Sequence, residues 1–219
     1  MPDNPPLPGL ERLIATCRRC ELTLELPPPV ASAPKPGARL FGQPVDPLLT
    51  AVYQRMGPAN LGPFSLLSPD LEWDGMVAWN QKVREDDTEP FRSILLFGKK
   101  IGFAYYFGTV PALATAEGLQ PIVYVSTYSG EMSAVPIASN LDRFFDVYSR
   151  FLELMVVDVG YIESGVSEVR FPWGISNLIA QDEPLMALTR AGRFSHLFQE
   201  DEGAKDWVAE VLSSSSNAP

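Results

Sequence analysis

The residues able to do chemistry in this chain are few, and each stands apart from the partners it would need. Cys17 and Cys20 close a Cys-x-x-Cys spacing and are the two cysteines of the 219-residue sequence. That spacing serves zinc or a redox dithiol. Zinc takes four ligands, usually two such pairs or one pair plus histidines, and the single histidine, His196, is remote in sequence. A redox pair follows a strand and opens a helix. Here Leu10, Leu13, Ile14 and Cys17 share one helical face, so Cys17 reads as a small buried apolar residue. Gly98-Lys99-Lys100 has the look of a phosphate loop, but Ser93 stands where the first glycine belongs and Lys100 where Ser or Thr is required. It reads as a turn. No Gly-x-Ser-x-Gly elbow occurs, and one histidine leaves little room for Ser–His or Cys–His catalysis. His196, in "GRFSHLF", reads as a structural or surface group. Glu85, Asp86, Asp87 and Glu89, like Glu200-Asp201-Glu202, form acidic runs in polar loops. Glycoside hydrolysis needs two carboxylates facing each other, and a calcium loop needs a fixed glycine and a terminal glutamate. We therefore expect no catalytic residue, no cofactor and no metal.

Composition bounds what remains. Apolar residues make up 46% of the chain, enough for a sizeable core, and the length suits one domain or one domain with extensions. The longest apolar runs, such as Ile94–Phe97 and Leu154–Val157, fall far short of the roughly 20 residues of a membrane span. The opening "MPDNPPLPGLER" lacks the pattern of a secretory signal, so a cytoplasmic location is expected. The net charge of −10 repels phosphate backbones, which argues against nucleic acid. It would steer a basic protein partner, and it equally suits an inert, solvated surface.

Patterning supplies the elements. Residues 8–20 fit a helix, and Leu22, Leu24 and Leu26 alternate as in a half-buried strand. "PPPVASAPKPG" reads as an extended connector. Asp46 and Pro47 open a helix whose buried stripe is Leu48, Leu49, Val52 and Met56. A short strand at Phe64–Leu67 precedes an interrupted helix reaching Arg84, then the acidic loop "REDDTEP". "ILLFGKKIGFAYYFG" predicts a hairpin with strands near 92–97 and 101–107, followed by strands at 122–127 and 133–138. Pro136 cannot donate to a ladder, so the last of these belongs at an edge or carries a bulge. Ser139 and Asp142 stand in the capping-box arrangement, ahead of a helix with Leu141, Phe144, Phe145, Tyr148, Leu152 and Met155 on one stripe. Beyond it we expect helices near 175–190 and 203–212.

This order predicts an α+β fold in which helices cover one face of an antiparallel sheet and the other face stays partly open. Four segments are expected: a helix, strand and Pro-rich connector over 1–41, a core over 42–156, a C-terminal helical extension of the same domain over 157–212, and a disordered tail over 213–219. The hairpin carries more aromatic surface than a turn requires. Tyr105 and Tyr106, being adjacent, must point to opposite sides of a strand. With Tyr124 and the acidic loop Glu85, Asp86, Asp87 and Glu89, they are the candidate partner-binding residues.

Residues 42–155 resemble the SUKH superfamily, the Smi/Knr-type domain of bacterial immunity proteins and fungal cell-wall regulators. The resemblance rests on "YQRMG", "ILLFG…GFAYYFG", "PIVYVS", "AVPIAS" and "LDRFFDVYSRFLE" in that order. The first 40 residues and the segment after 157 have no counterpart in the minimal domain. The resemblance implies a non-catalytic protein that binds and neutralises a cognate toxin, a basic nuclease being one form, by occluding its active site or surface. The alternative is a scaffold or regulatory interaction module with no toxin partner. A third reading, an enzyme or metal protein built on Cys17 and Cys20, would require stoichiometric zinc that Cys17→Ser abolishes.

Overall fold

A computed structural model describes residues 5–69, 75–85, 88–127 and 133–216. The elements run α1 (Pro8–Arg19), β1 (Leu24–Glu25), β2 (Arg39–Leu40), β3 (Gln43–Pro44), α2 (Pro47–Arg55), β4 (Asn60–Leu61), β5 (Phe64–Leu66) and α3 (Met76–Val83). They continue with β6 (Leu95–Lys100), β7 (Tyr105–Thr109), β8 (Ile122–Ser126), β9 (Ser133–Ala138), α4 (Leu141–Val157), α5 (Val159–Ser164), α6 (Ser176–Ile179), α7 (Glu183–Arg190) and α8 (Glu202–Ser216). A seven-stranded antiparallel sheet has the order β1-β4-β5-β6-β7-β8-β9, and β2 and β3 form a separate ribbon. The architecture is the α+β class that the sequence leads one to expect. β9 is the edge strand that Pro136 calls for, and the register shifts between Ile122 and Val123 opposite it.

The central face is an aromatic layer under α4. Phe64 of β5 meets Phe107 at 5.2 Å, Phe144 at 5.6 Å, Tyr148 at 6.0 Å and Phe145 at 6.1 Å. Such tilted and edge-on ring pairs add to the burial of apolar area. The stripe read from the helical period, Leu141 through Met155, is buried throughout.

Room for Phe64 explains one departure from the sequence reading. Gly98-Lys99-Lys100 is not a turn. It is the second half of β6, paired with Phe64, Ser65 and Leu66 of β5. A Cβ on Gly98 would run into the Phe64 ring, so this glycine is required by close packing across two strands. The turn falls three residues later, over 101–104, where Gly102 adopts φ +79°, a conformation that favours glycine.

The sheet is covered on more than the α4 face. Tyr106 points away from Phe107 and meets Trp79 of α3 at 4.9 Å, and Val123 and Val125 are fully buried. α3 is pinned to β6 by Asn80, whose side chain accepts from Leu96 N and donates to Leu96 O, both at 2.8 Å. It also donates to Met76 O at 2.8 Å. Leu96 lies beyond the last β5–β6 pair, Leu66 with Gly98, so Asn80 supplies hydrogen bonds to its backbone where β5 has ended.

The segments outside 42–156 join the same structure. α1 runs beside α4 in the same direction, linked by Gly9 N to Asp142 Oδ1 at 2.9 Å, Arg12 to Asp146 at 3.1 Å, Thr16 to Ser149 at 3.0 Å and Arg19 to Glu153 at 2.6 Å. The cap of α4 is Asn140, which accepts from Arg143 N at 2.9 Å. Asp142 caps α1 instead, so the expected Ser139–Asp142 box does not form. The helix expected over 175–190 is divided. Asp182 accepts from Leu185 N and from Ser139 N and starts α7 afresh, with Pro184 in its first turn. α8 continues to Ser216, into the stretch expected to be a disordered tail. α7 and α8 pack on β9. No helix among the described residues is long and apolar enough to cross a membrane.

Candidate functional site

Moving the turn to 101–104 moves the hairpin's surface as well. Lys100 is the last residue of β6 and Tyr105 the first of β7, leaving Ile101 and Phe103 at the tip, 43% and 52% exposed. Three rings stand nearly parallel in a row: Phe103 lies 6.2 Å from Tyr105 at 25°, and Tyr105 lies 5.1 Å from Tyr124 at 27°. The Lys100 ammonium sits over this row, 4.3 Å from the Phe103 centroid and 5.8 Å from that of Tyr105. An ammonium over ring faces is attracted by the ring quadrupole.

Opposite the hairpin stand Phe151 and Met155 of α4, Tyr161 of α5 and the loop that carries Val166 and Arg170. Leu22, Gly62 and Pro63 complete an open groove of about 710 Å³. Phe171 is buried at its end, 5.0 Å from Tyr148 and 5.7 Å from Tyr124. Asp158 shapes the far wall. It caps α5 through Tyr161 N at 3.3 Å and holds the loop through Glu168 N at 3.1 Å. Burial, and after it the Arg170 guanidinium, hold the Lys100 ammonium below its usual range. Both cations border the same groove.

The surroundings are apolar well beyond the groove. Among the described residues, nine large hydrophobic side chains are exposed, and seven of them, Ile101, Phe103, Leu154, Val157, Val159, Ile162 and Val166, belong to the hairpin tip and the 154–166 segment. Single exposed hydrophobes need no explanation, but a concentration on neighbouring elements marks an interaction surface.

The residues singled out from the sequence fall differently. Tyr105 is half-buried at the groove, whereas Tyr106 and Tyr124 are 6% and 2% exposed and belong to the core. Glu85 is exposed. Glu89 is turned inward, accepting from Ser93 Oγ at 2.7 Å and pairing with Arg92 at 3.1 Å. Asp86 and Asp87 lie outside the described residues. The groove therefore brings together only Tyr105 of the seven. Cys17 is buried, and burial, then Cys20, push its thiol up to about 11. Among the described residues, no group of three His, Cys, Asp or Glu side chains is placed to hold a metal.

The sequence reading missed Lys100, Phe103, Ile162, Val166 and Arg170. A turn placed three residues early makes Phe103 look like a strand residue, and Arg170 is distant in sequence. One signal was available. Leu154 and Val157 fall outside the buried stripe of α4, and apolar residues on the polar side of an amphipathic helix mark a second surface.

Two smaller hollows lie elsewhere on the surface. One, of about 460 Å³, holds Arg12, Asp142 and Asp146 of the α1–α4 ladder. The other, of about 430 Å³, lies between Thr88–Arg92 and His196–Glu200. Comparison of the chain with protein-family models, with curated proteins and with solved structures finds no match.

Proposed function

We propose that this protein is a non-catalytic binding module of the immunity type, which neutralises a cognate protein toxin by covering its active site or surface. The observation that carries the reading is the concentration of exposed apolar side chains on the hairpin tip and the 154–166 segment. Interfaces draw their affinity from such residues, packed at the centre of a patch and ringed by polar groups. The resemblance of residues 42–155 to SUKH domains supplies the class of partner. A net charge of −10 would speed encounter with a basic toxin without itself supplying much affinity.

The test is co-expression of the full chain with the product of the adjacent gene. The reading predicts that the two proteins co-purify and that the chain restores growth to cells poisoned by its neighbour. Ile162→Asp, which places a charge in the exposed patch, should weaken the complex while leaving the thermal midpoint within a few degrees of the parent. Absence of a complex together with unchanged viability would remove the immunity reading.

A further inference from the structure

The groove has an electrostatic feature that the partner-binding reading does not require. Acids outnumber bases in this chain by 27 to 17, yet among the described residues the charged side chains that line this groove are both cations. Lys100 projects from the strand end on one wall and Arg170 from the loop on the other. Among the described residues, neither forms an ion pair with a carboxylate. Two like charges in a partly dehydrated cleft disfavour each other, and an anion between them relieves the repulsion. Beside them lie the exposed faces of Phe103 and Val166, 52% and 70% accessible.

We infer that the groove takes a segment of a partner protein in which a carboxylate stands next to a bulky apolar or aromatic side chain. The carboxylate would lie between Lys100 and Arg170, and its neighbour would cover Phe103 and Val166. This rests on the partner-binding reading and specifies the partner's chemistry at one point of contact. The shape favours a peptide over a small molecule, because the groove is an open trough whose walls carry the exposed side chains of Ile101, Phe103 and Val166. Small ligands instead favour sites that enclose most of their surface. Charge favours a short acidic segment over a nucleic acid or an anionic membrane. Extended polyanions meet the whole negative chain, whereas one or two carboxylates meet only the local pair of cations.

The experiment is a peptide-display selection of random heptapeptides on the immobilised full-length protein, followed by fluorescence anisotropy of the strongest peptide in solution. Selected sequences should carry Asp or Glu beside Phe, Trp, Leu or Ile. Binding should weaken with added salt and fall about tenfold or more in Lys100→Gln/Arg170→Gln. Phe103→Ala should weaken it as well. Arg170→Glu alone, at an exposed side chain, keeps the test valid if the double variant folds poorly by circular dichroism. Basic or featureless selected sequences, no enrichment, or affinity indifferent to these variants would each overturn the inference. So would a concentration-dependent dimer in sedimentation that Arg170→Glu dissolves, or binding to phosphatidylglycerol vesicles that requires Lys100. The co-expression result stands separately. A toxin complex unaffected by Lys100→Gln/Arg170→Gln sinks the inference and spares the immunity reading. Acidic peptides selected by a chain that binds no neighbouring product do the reverse.

Discussion

Asn80 shows how much one side chain can organise. Its amide is fully buried and makes three hydrogen bonds to backbone groups, two of them to Leu96 of β6. Asn80→Ala leaves those groups without partners, and a buried unsatisfied group costs about 1–3 kcal/mol. We expect a loss of about 2–3 kcal/mol, read as a lower urea midpoint at unchanged m value. Nothing in the sequence announces this residue, because its importance depends on where β5 stops pairing with β6. Cys17 is the opposite case. Its place on an apolar helical face was legible, and burial lowers its thiolate population. Iodoacetamide on the native protein should modify Cys20 well before Cys17, with Cys17 reacting only once denaturant is added. Equal rates in mass spectrometry would mean that α1 opens readily or that Cys17 is not held in the core.

At the scale of elements, the parallel pairing of α1 with α4 is the feature most exposed to test. Gly9 sits where a Cβ would strike the Asp142 carbonyl oxygen, a backbone atom that cannot rotate aside. Gly9→Ala should cost about 1–3 kcal/mol as the two helices separate. Further along, partial burial opposes ionisation of Glu153, but Arg19, Arg12 and Thr16 together outweigh it and hold the carboxyl below its usual range. A depressed carboxyl contributes stability in full above its unfolded value and loses it as pH falls through the folded value. The wild type should therefore exceed Glu153→Gln by at most about 1 kcal/mol at neutral pH, as partly exposed pairs do. That gap should begin to narrow below about pH 5 and close only as pH falls through the lowered folded value. Burial raises Asp46 and Asp142, whose ionisation costs stability as pH rises. Only the difference between the two proteins isolates Glu153.

The helices and strands themselves were largely readable, because the stripe of α4, the alternation of β8 and the proline of β9 are local patterns. What escaped were choices made by tertiary partners. Gly98 is claimed by Phe64, Asp142 by the α1 backbone and Asp182 by the end of β9. Each competes with a local motif and prevails because a long-range hydrogen bond or packing contact satisfies a group that the local arrangement would not.

For the whole molecule, the covering of both sheet faces transfers the functional question from an open sheet to one end of the fold. Tyr106 and Tyr124, which looked available, are consumed by the core. Ile101, Phe103 and the exposed residues of 154–166 take their place, on elements distant in sequence that only the folded chain brings together. Under the proposed function, that end is the working surface. Hydrogen exchange of the full chain, alone and bound to the product of the adjacent gene, tests this most directly. We predict slowed exchange confined to residues 101–105 and 157–171. Complex formation that protects the Glu85–Glu89 loop or α7 and α8 while leaving those two segments unchanged would contradict it.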